Sequence, residues 1–207
     1  MNLAACAALR LGPLTGTWYR AIQPAFWATS LATAHTRTIP SRFSAGNPTR
    51  PGFEILYLAD DHQVALFEVG ALLGSPLPGA AYVPNPAGAW VIINVNVTLS
   101  SVADLCRPTQ RRSVRTTAQE LTGDWRGYLL RNPAPALSAP YWTNVPTQRL
   151  GAALESVPNL EGFTTYSAKV STHRNLAIFP AKLRPGSTVR FTYTDPSTGK
   201  TQTATIP

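Results

Sequence analysis

Glu68 sits where a carboxylate is costly. Val64, Phe67, Ala71 and Leu72 recur at spacings of three and four, as one stripe of a helix expected from Asp61 to Leu73. Glu68 lies on that stripe, four residues after Val64 and four before Leu72. A charge there needs a partner or a use. Either it forms a structural ion pair with a buried arginine, or it is held in an apolar site to face a ligand. Arg20 ends the run Trp18-Tyr19-Arg20, and Arg42 precedes Phe43 in a loop. Each could simply be solvated. Arginine is also the residue best suited to pyrophosphate, because its planar fork donates paired hydrogen bonds. Tyr57 alternates with Phe53 and Ile55 on one strand face, either packed in the core or stacked on a flat ligand. Ser167, in Thr165-Tyr166-Ser167-Ala168, has no context that marks it beyond a loop serine.

Several chemistries lack their signatures. There is no GxGxxG and no GxxxxGK[ST], so any dinucleotide must be held by side chains such as arginines. No GxSxG surrounds Ser167, which gives no support to a hydrolase nucleophile elbow. Cys6 and Cys106 have neither CxxC nor metal-like spacing, and His35, His62 and His173 are scattered. No disulfide framework and no metal site are assigned.

The net charge of +8 suits nucleic acid, a phosphate-bearing small molecule or an acidic protein partner. The densest basic run, Arg107, Arg111, Arg112 and Arg115, has no interleaved aromatics. It reads as a solvated face or partner surface, and direct nucleic-acid binding is the weaker reading.

The elements that must carry these residues are short. Nineteen prolines and fourteen glycines in 207 residues leave little room for long helices. One domain is expected, with a core that 44% apolar residues can fill. Met1 to Gly16 lacks a basic leader and is interrupted by Arg10, so it reads as an ordered segment, and a cytoplasmic protein is expected. No run approaches the ~20 apolar residues of a membrane span.

Strands are expected at Trp18–Ile22, Phe53–Ala59, Trp90–Leu99 and Asn175–Phe179. Gln23 to Arg42 reads as irregular, and Phe43–Gly52, Ser75–Gly88 and Arg131–Pro140 read as loops. Asp60 is the expected N-cap of the Glu68 helix, with Gln63 completing a capping-box-like pattern and Gly74 stopping it. Further helices fit Thr109–Leu121 and Thr147–Leu154, the latter near Pro146. Thr188 to Ile206 alternates on either side of Asp195-Pro-Ser-Thr-Gly199, a hairpin at a sheet edge. The class is α+β: a mixed or split, dominantly antiparallel sheet with short helices and a C-terminal β-hairpin.

Taken in order, these pieces resemble one family. Trp18-Tyr19-Arg20-Ala21, Ser41-Arg42-Phe43-Ser44, Leu56-Tyr57-Leu58-Ala59 and Ala65-Leu66-Phe67-Glu68 are similar to the first half of RES-domain proteins. Pro146-Thr147-Gln148-Arg149-Leu150-Gly151, Glu161-Gly162-Phe163, Tyr166-Ser167-Ala168 and Asn175-Leu176-Ala177-Ile178-Phe179 are similar to the second half. The resemblance covers roughly 17–180 and leaves the 188–206 hairpin outside the core.

The resemblance implies a single ADP-ribosyltransferase-like domain that uses NAD as substrate and needs no metal. It implies a toxin paired with a helix-turn-helix antitoxin, with a homodimer within the complex. It further implies cleavage of the nicotinamide–ribose bond by water or phosphate, or ADP-ribose transfer to a protein. Glu68, Arg20 and Ser167 would then be catalytic. Arg20, Arg42, Tyr57 and Ser167 would bind the dinucleotide. From the residues alone, a non-catalytic basic module that binds nucleic acid stays open beside it.

Overall fold

The computed structural model describes residues 1–77, 79–131, 143 and 145–206. Its spine is β5 (Val91–Asp104), on which Ile93, Val95, Val97 and Leu99 are buried while Asn94, Asn96 and Thr98 face out. On one side β5 pairs antiparallel with β1 (Leu11–Ile22) along almost its whole length. On the other it pairs antiparallel with β8 (Thr188–Thr194) and, near its end, parallel with β6 (Gly162–Tyr166). β6 continues antiparallel to β7 (Arg174–Ile178), and β7 to β2 (Leu56–Ala59). A single residue pair, Tyr19 with Ala59, joins β2 back to β1. The ring β1-β2-β7-β6-β5 is thereby closed into a five-stranded barrel, and β8 with β9 (Thr201–Ile206) extends it as the expected hairpin.

The sheet is split only in a limited sense. Two well-paired groups, β1-β5-β8-β9 and β2-β7-β6, meet through three residue pairs at one join and one at the other. Trp18, Leu56, Leu58, Val95, Leu176 and Ile178, drawn from both groups, share one buried cluster. On the opposite face of β2, β6 and β7, Phe43, Phe163 and Phe179 pack with α5 (Pro146–Glu155) through Leu150 and Leu154. Pro146 starts α5 at the position where a missing N–H costs nothing.

Several elements differ from expectation. β1 begins seven residues before Trp18, and Cys6 and Leu9 ahead of it are buried. Phe53 to Ile55 is outside the strand, because the Ile55 N–H donates to the Thr36 hydroxyl rather than to a neighbouring strand. Gln23 to Arg42 carries 3₁₀ turns at Pro24–Thr29 and Ala34–Arg37.

The Glu68 helix, α1, runs only from His62 to Glu68. Its cap is Asp61, whose side chain accepts from Gln63 and Val64, while Asp60 accepts from His173 and Arg174 instead. Gly70, at φ +73, ends it: the Gly70 N–H donates to Phe67 and the Ala71 N–H to Leu66. These are the two bonds of a Schellman stop. Leu72 therefore leaves the stripe and enters β3 (Leu72–Gly74), which pairs with β4 (Tyr82–Pro84) inside the segment expected as a loop.

The single helix expected over 109–121 is two: α2 (Pro108–Ser113) and α3 (Ala118–Thr122). They are separated by Arg115 at φ 51, and Thr117 caps the second. α4 (Trp125–Arg131) follows, and the rest of the loop expected over 131–140 lies outside the described residues. β6 was not expected. None of the described helices is long and apolar enough to cross a membrane.

Candidate active site

Where β1 and β2 diverge beyond their one shared pair, a cleft of about 870 Å³ opens. That volume suits a small-molecule site. Arg20, from β1, and Tyr57, from β2, line it together with Arg42 and Glu68. Four of the five residues singled out from sequence thus converge on one space. Ser167 does not line it. It is 0% exposed and stands behind Glu68.

Glu68 is the last residue of α1, and the Schellman stop aims the chain away immediately after it. Its Oε1 accepts from the Ser167 hydroxyl (2.5 Å), the Asn175 amide (2.7 Å) and the Ala168 N–H (3.1 Å). The Ser167 Oγ in turn accepts from the N–H groups of Lys169 and Val170 (3.1 and 3.0 Å). That leaves the hydroxyl proton one direction to point, toward the carboxylate. Oε2 of Glu68 has no hydrogen bond among the described residues, and the half-buried side chain faces the cleft. One oxygen is held by three donors, and the other has no partner among the described residues. The buried arginine partner that a structural ion pair would need is not hydrogen-bonded to Glu68.

The arginines are held by backbone carbonyls. Arg20 Nη1 donates to Ser30 O (3.0 Å), and burial pushes its guanidinium down to about 10. Arg42 Nη1 donates to Leu121 O (3.2 Å) and Gly123 O (2.5 Å). Burial lowers the Arg42 pKa, opposed by the negative potential of Glu68, Tyr57 and Asp124. In both, one nitrogen is tethered and the rest of the fork can donate elsewhere.

The turn that carries Arg42 is bolted to α5. Gln148 Nε2 donates to Ser41 O (2.8 Å), and Gly151 touches the Phe43 backbone where a Cβ would collide with the carbonyl. Tyr57 closes the same turn: its hydroxyl bonds Ser41 Oγ (2.8 Å) and accepts from the Phe43 N–H (3.3 Å). Burial pushes that phenol up to about 12. Tyr57 both lines the cleft and packs against the core, so the core reading of its ring holds.

Sequence reasoning missed Asn175, which binds Glu68 and lines the cleft. Its signal was available: an amide residue within an apolar strand end, Asn175-Leu176-Ala177-Ile178-Phe179. It also missed His35, Lys169 and Trp125 on the cleft wall, which nothing local distinguishes. The arginine run at 107–115 is not a simple solvated face. Arg111 is half-buried, lies 5.3 Å from the Tyr166 ring centroid and donates to the carbonyls of Leu105 and Cys106. The cysteines are free and buried, and burial pushes each thiol up to about 11.

The sequence profile of the RES domain matches residues 17–195. The chain belongs to the RES domain family. The matched region extends through β8, so the first strand of the C-terminal hairpin is part of the domain and not an addition to it. No curated protein matches the chain. Among solved structures, the fold is similar to a chain of the crystal structure of the M. tuberculosis MbcT–MbcA toxin–antitoxin complex. The TM-score is 0.59 at 18% identity, over 99% of this chain and 91% of that one.

Proposed function

We propose that this RES-domain protein cleaves the nicotinamide–ribose bond of NAD and acts as the toxin of a toxin–antitoxin pair. The observation that carries the reading is Glu68 in the cleft, one carboxylate oxygen held by three donors and the other without a partner. Loss of nicotinamide passes through an oxocarbenium-like ribose, as in glycoside hydrolysis. A fixed carboxylate beside that carbon stabilises the developing positive charge without reorganising. The bond between C1′ and the ring nitrogen breaks, and its electron pair leaves with nicotinamide, which becomes neutral. An oxygen of water or phosphate then bonds C1′ and gives up its proton to solvent.

Arg20 and Arg42 supply forks for the pyrophosphate, which a chain without a glycine-rich loop must hold by side chains. Tyr57 offers its ring to the nicotinamide end. Ser167 acts as a positioning residue: its proton is committed to Glu68, so it sets the carboxylate rather than contacting the substrate. Similarity to a chain of a toxin–antitoxin complex favours a separate antitoxin, and the +8 charge favours an acidic surface on it.

Purified protein incubated with NAD, with and without phosphate, should release nicotinamide. Free ADP-ribose in both cases identifies hydrolysis, and a phosphorylated product formed only with phosphate identifies phosphorolysis. No release under either condition, from protein shown to be folded, would overturn the reading.

A further inference from the structure

A second cavity, of about 430 Å³, lies away from the cleft at one mouth of the barrel. Its origin is a break in register. Gly12 pairs with Val102 but Leu14 with Leu99, so Ser100 and Ser101 together face Pro13. Proline has no N–H to offer the ladder, and a bulge bends the strand that carries it. Pro13 and Val102 line the resulting space with Leu11 and Leu14.

Three arginines line it, Arg10, Arg107 and Arg174, with one carboxylate, Asp104, whose pKa burial raises but Arg107 and Arg174 both lower. That carboxylate is already satisfied. Its Oδ2 accepts from Arg107 Nε (3.0 Å), and its Oδ1 from the Thr164 hydroxyl (2.8 Å) and the Cys106 N–H (3.0 Å). Arg107 and Asp104 cancel. The guanidinium groups of Arg10 and Arg174 have no hydrogen bond among the described residues. What remains is a double positive charge beside an apolar wall. A phosphate monoester matches it: a dianion for the two forks and a carbon body for Leu11, Pro13, Leu14 and Val102.

The strands that wall this cavity also serve the cleft. On β6 and β7, Thr164 and Arg174 line the mouth, while their chain neighbours Thr165 and Asn175 line the cleft. Asn175 is a donor to Glu68, and Ser167 follows directly after β6. A ligand that pins Arg174 therefore acts one residue from the clamp on the carboxylate. We propose that the barrel mouth is an effector site for a small phosphate monoester, whose occupancy alters turnover in the cleft. The effector role rests on the NAD-cleaving reading, whereas the binding site does not.

The test uses glucose 6-phosphate as probe, with glucose and inorganic phosphate as controls, on the full chain by calorimetry. Binding of glucose 6-phosphate should exceed that of either control by at least about ten-fold. Arg10→Ala and Arg174→Ala should each weaken it about ten- to hundred-fold. Arg42→Ala, in the cleft, should leave it unchanged. Both barrel-mouth arginines are exposed, and the backbone N–H of Arg174 that binds Asp60 survives the substitution, so the variants should fold. Equal binding by the arginine variants, displacement by NAD, or equal binding of inorganic phosphate would overturn the site. In the nicotinamide-release assay, the probe should change the wild-type rate and leave the Arg174→Ala rate unaltered. Binding without any change in rate would overturn the effector role. Binding by a protein that releases no nicotinamide at all would sink the NAD reading and leave the site standing.

Discussion

Glu68 and Glu161 are both gripped by several donors, and they differ in what is left over. Glu161 is 0% exposed. Its Oε2 accepts from the N–H groups of Ser100 and Ser101 (both 2.7 Å) and from the Ser100 hydroxyl (2.9 Å). Its Oε1 accepts from the Arg184 N–H (2.8 Å). The Ser100 and Ser101 N–H groups lie where β5 passes from its pairing with β8, which ends at Thr98, to its pairing with β6, which starts at Val102, so the carboxylate completes the sheet there. Glu68 has all three of its donors on one oxygen and presents the other to a cleft. A carboxylate satisfied on both sides is a structural part. On the proposed reading, one satisfied on a single side is oriented for a substrate.

The largest effect expected from breaking this contrast is on stability, at Glu161. Glu161→Ala leaves the Ser101 and Arg184 N–H donors without an acceptor and the Ser100 N–H with only its longer bond to Ser187 Oγ (3.2 Å), each lost partner costing about 1–3 kcal/mol. We expect a loss of about 3–5 kcal/mol in urea unfolding, with the corresponding fall in melting temperature. A loss under ~1 kcal/mol would mean that these N–H groups find other acceptors.

Next in size is the affinity for NAD. Arg20→Ala and Arg42→Ala should each weaken it roughly ten- to hundred-fold, the worth of a charge-assisted hydrogen bond at about 1.5–3 kcal/mol. Melting should move by only a few degrees. Calorimetry decides it, and unchanged affinity with a collapsed melting temperature would return both arginines to a purely structural role.

Smaller again is Ser167→Ala. Losing one of the three donors to Glu68 should lower kcat about ten-fold and leave KM near its wild-type value. A rise in KM with kcat intact would instead put the hydroxyl on the substrate.

The smallest effect is on the acid limb of stability. Burial alone would raise the Glu161 pKa, but the N–H and hydroxyl donors outweigh it and hold the carboxyl below its usual 4.5. A depressed folded-state value contributes stability above the unfolded pKa, and that contribution disappears as pH falls through the folded one. Unfolding free energy should therefore decline below about pH 4.5, and Glu161→Gln should flatten that decline. An unchanged slope would show that other carboxylates, such as Asp104, carry the acid limb.

The contrast between the two glutamates was only half legible in the sequence. Glu68 stood out because it interrupts an apolar stripe, although two members of that stripe, Ala71 and Leu72, turn out to lie beyond the helix. Glu161 precedes a glycine in a short turn, and nothing local reveals that it serves Ser100 and Ser101 sixty residues earlier. Strands with clean alternation, β5 and the β8–β9 hairpin, were readable because the period-two pattern is local. β6 was not, because Gly162-Phe163-Thr164-Thr165-Tyr166 is buried on both faces and shows no alternation. The helix expected over 109–121 failed at Arg115, where a Schellman stop closes α2: the Arg115 N–H donates to Arg112 and the Thr116 N–H to Arg111, at a left-handed position that glycine usually fills and an arginine does not advertise. Ser167 drew notice only as part of the family pattern, and its direction, into Glu68 and away from the cleft, depends on the Lys169 and Val170 N–H groups.

The most direct test sets Glu68→Gln beside Glu161→Gln and measures nicotinamide release per folded molecule. Glutamine keeps the shape of each side chain, removes the charge and turns one acceptor oxygen into an NH2 donor, which Glu68 can place on its unbonded side but Glu161, bonded on both oxygens, cannot. Glu68→Gln should melt within a few degrees of the wild type and release nicotinamide at least about a hundred-fold more slowly, the cost of losing one preorganised charge. Glu161→Gln should melt well below the wild type yet, where folded, release nicotinamide at the wild-type rate. Nicotinamide released by Glu68→Gln as fast as by the wild type would contradict the account.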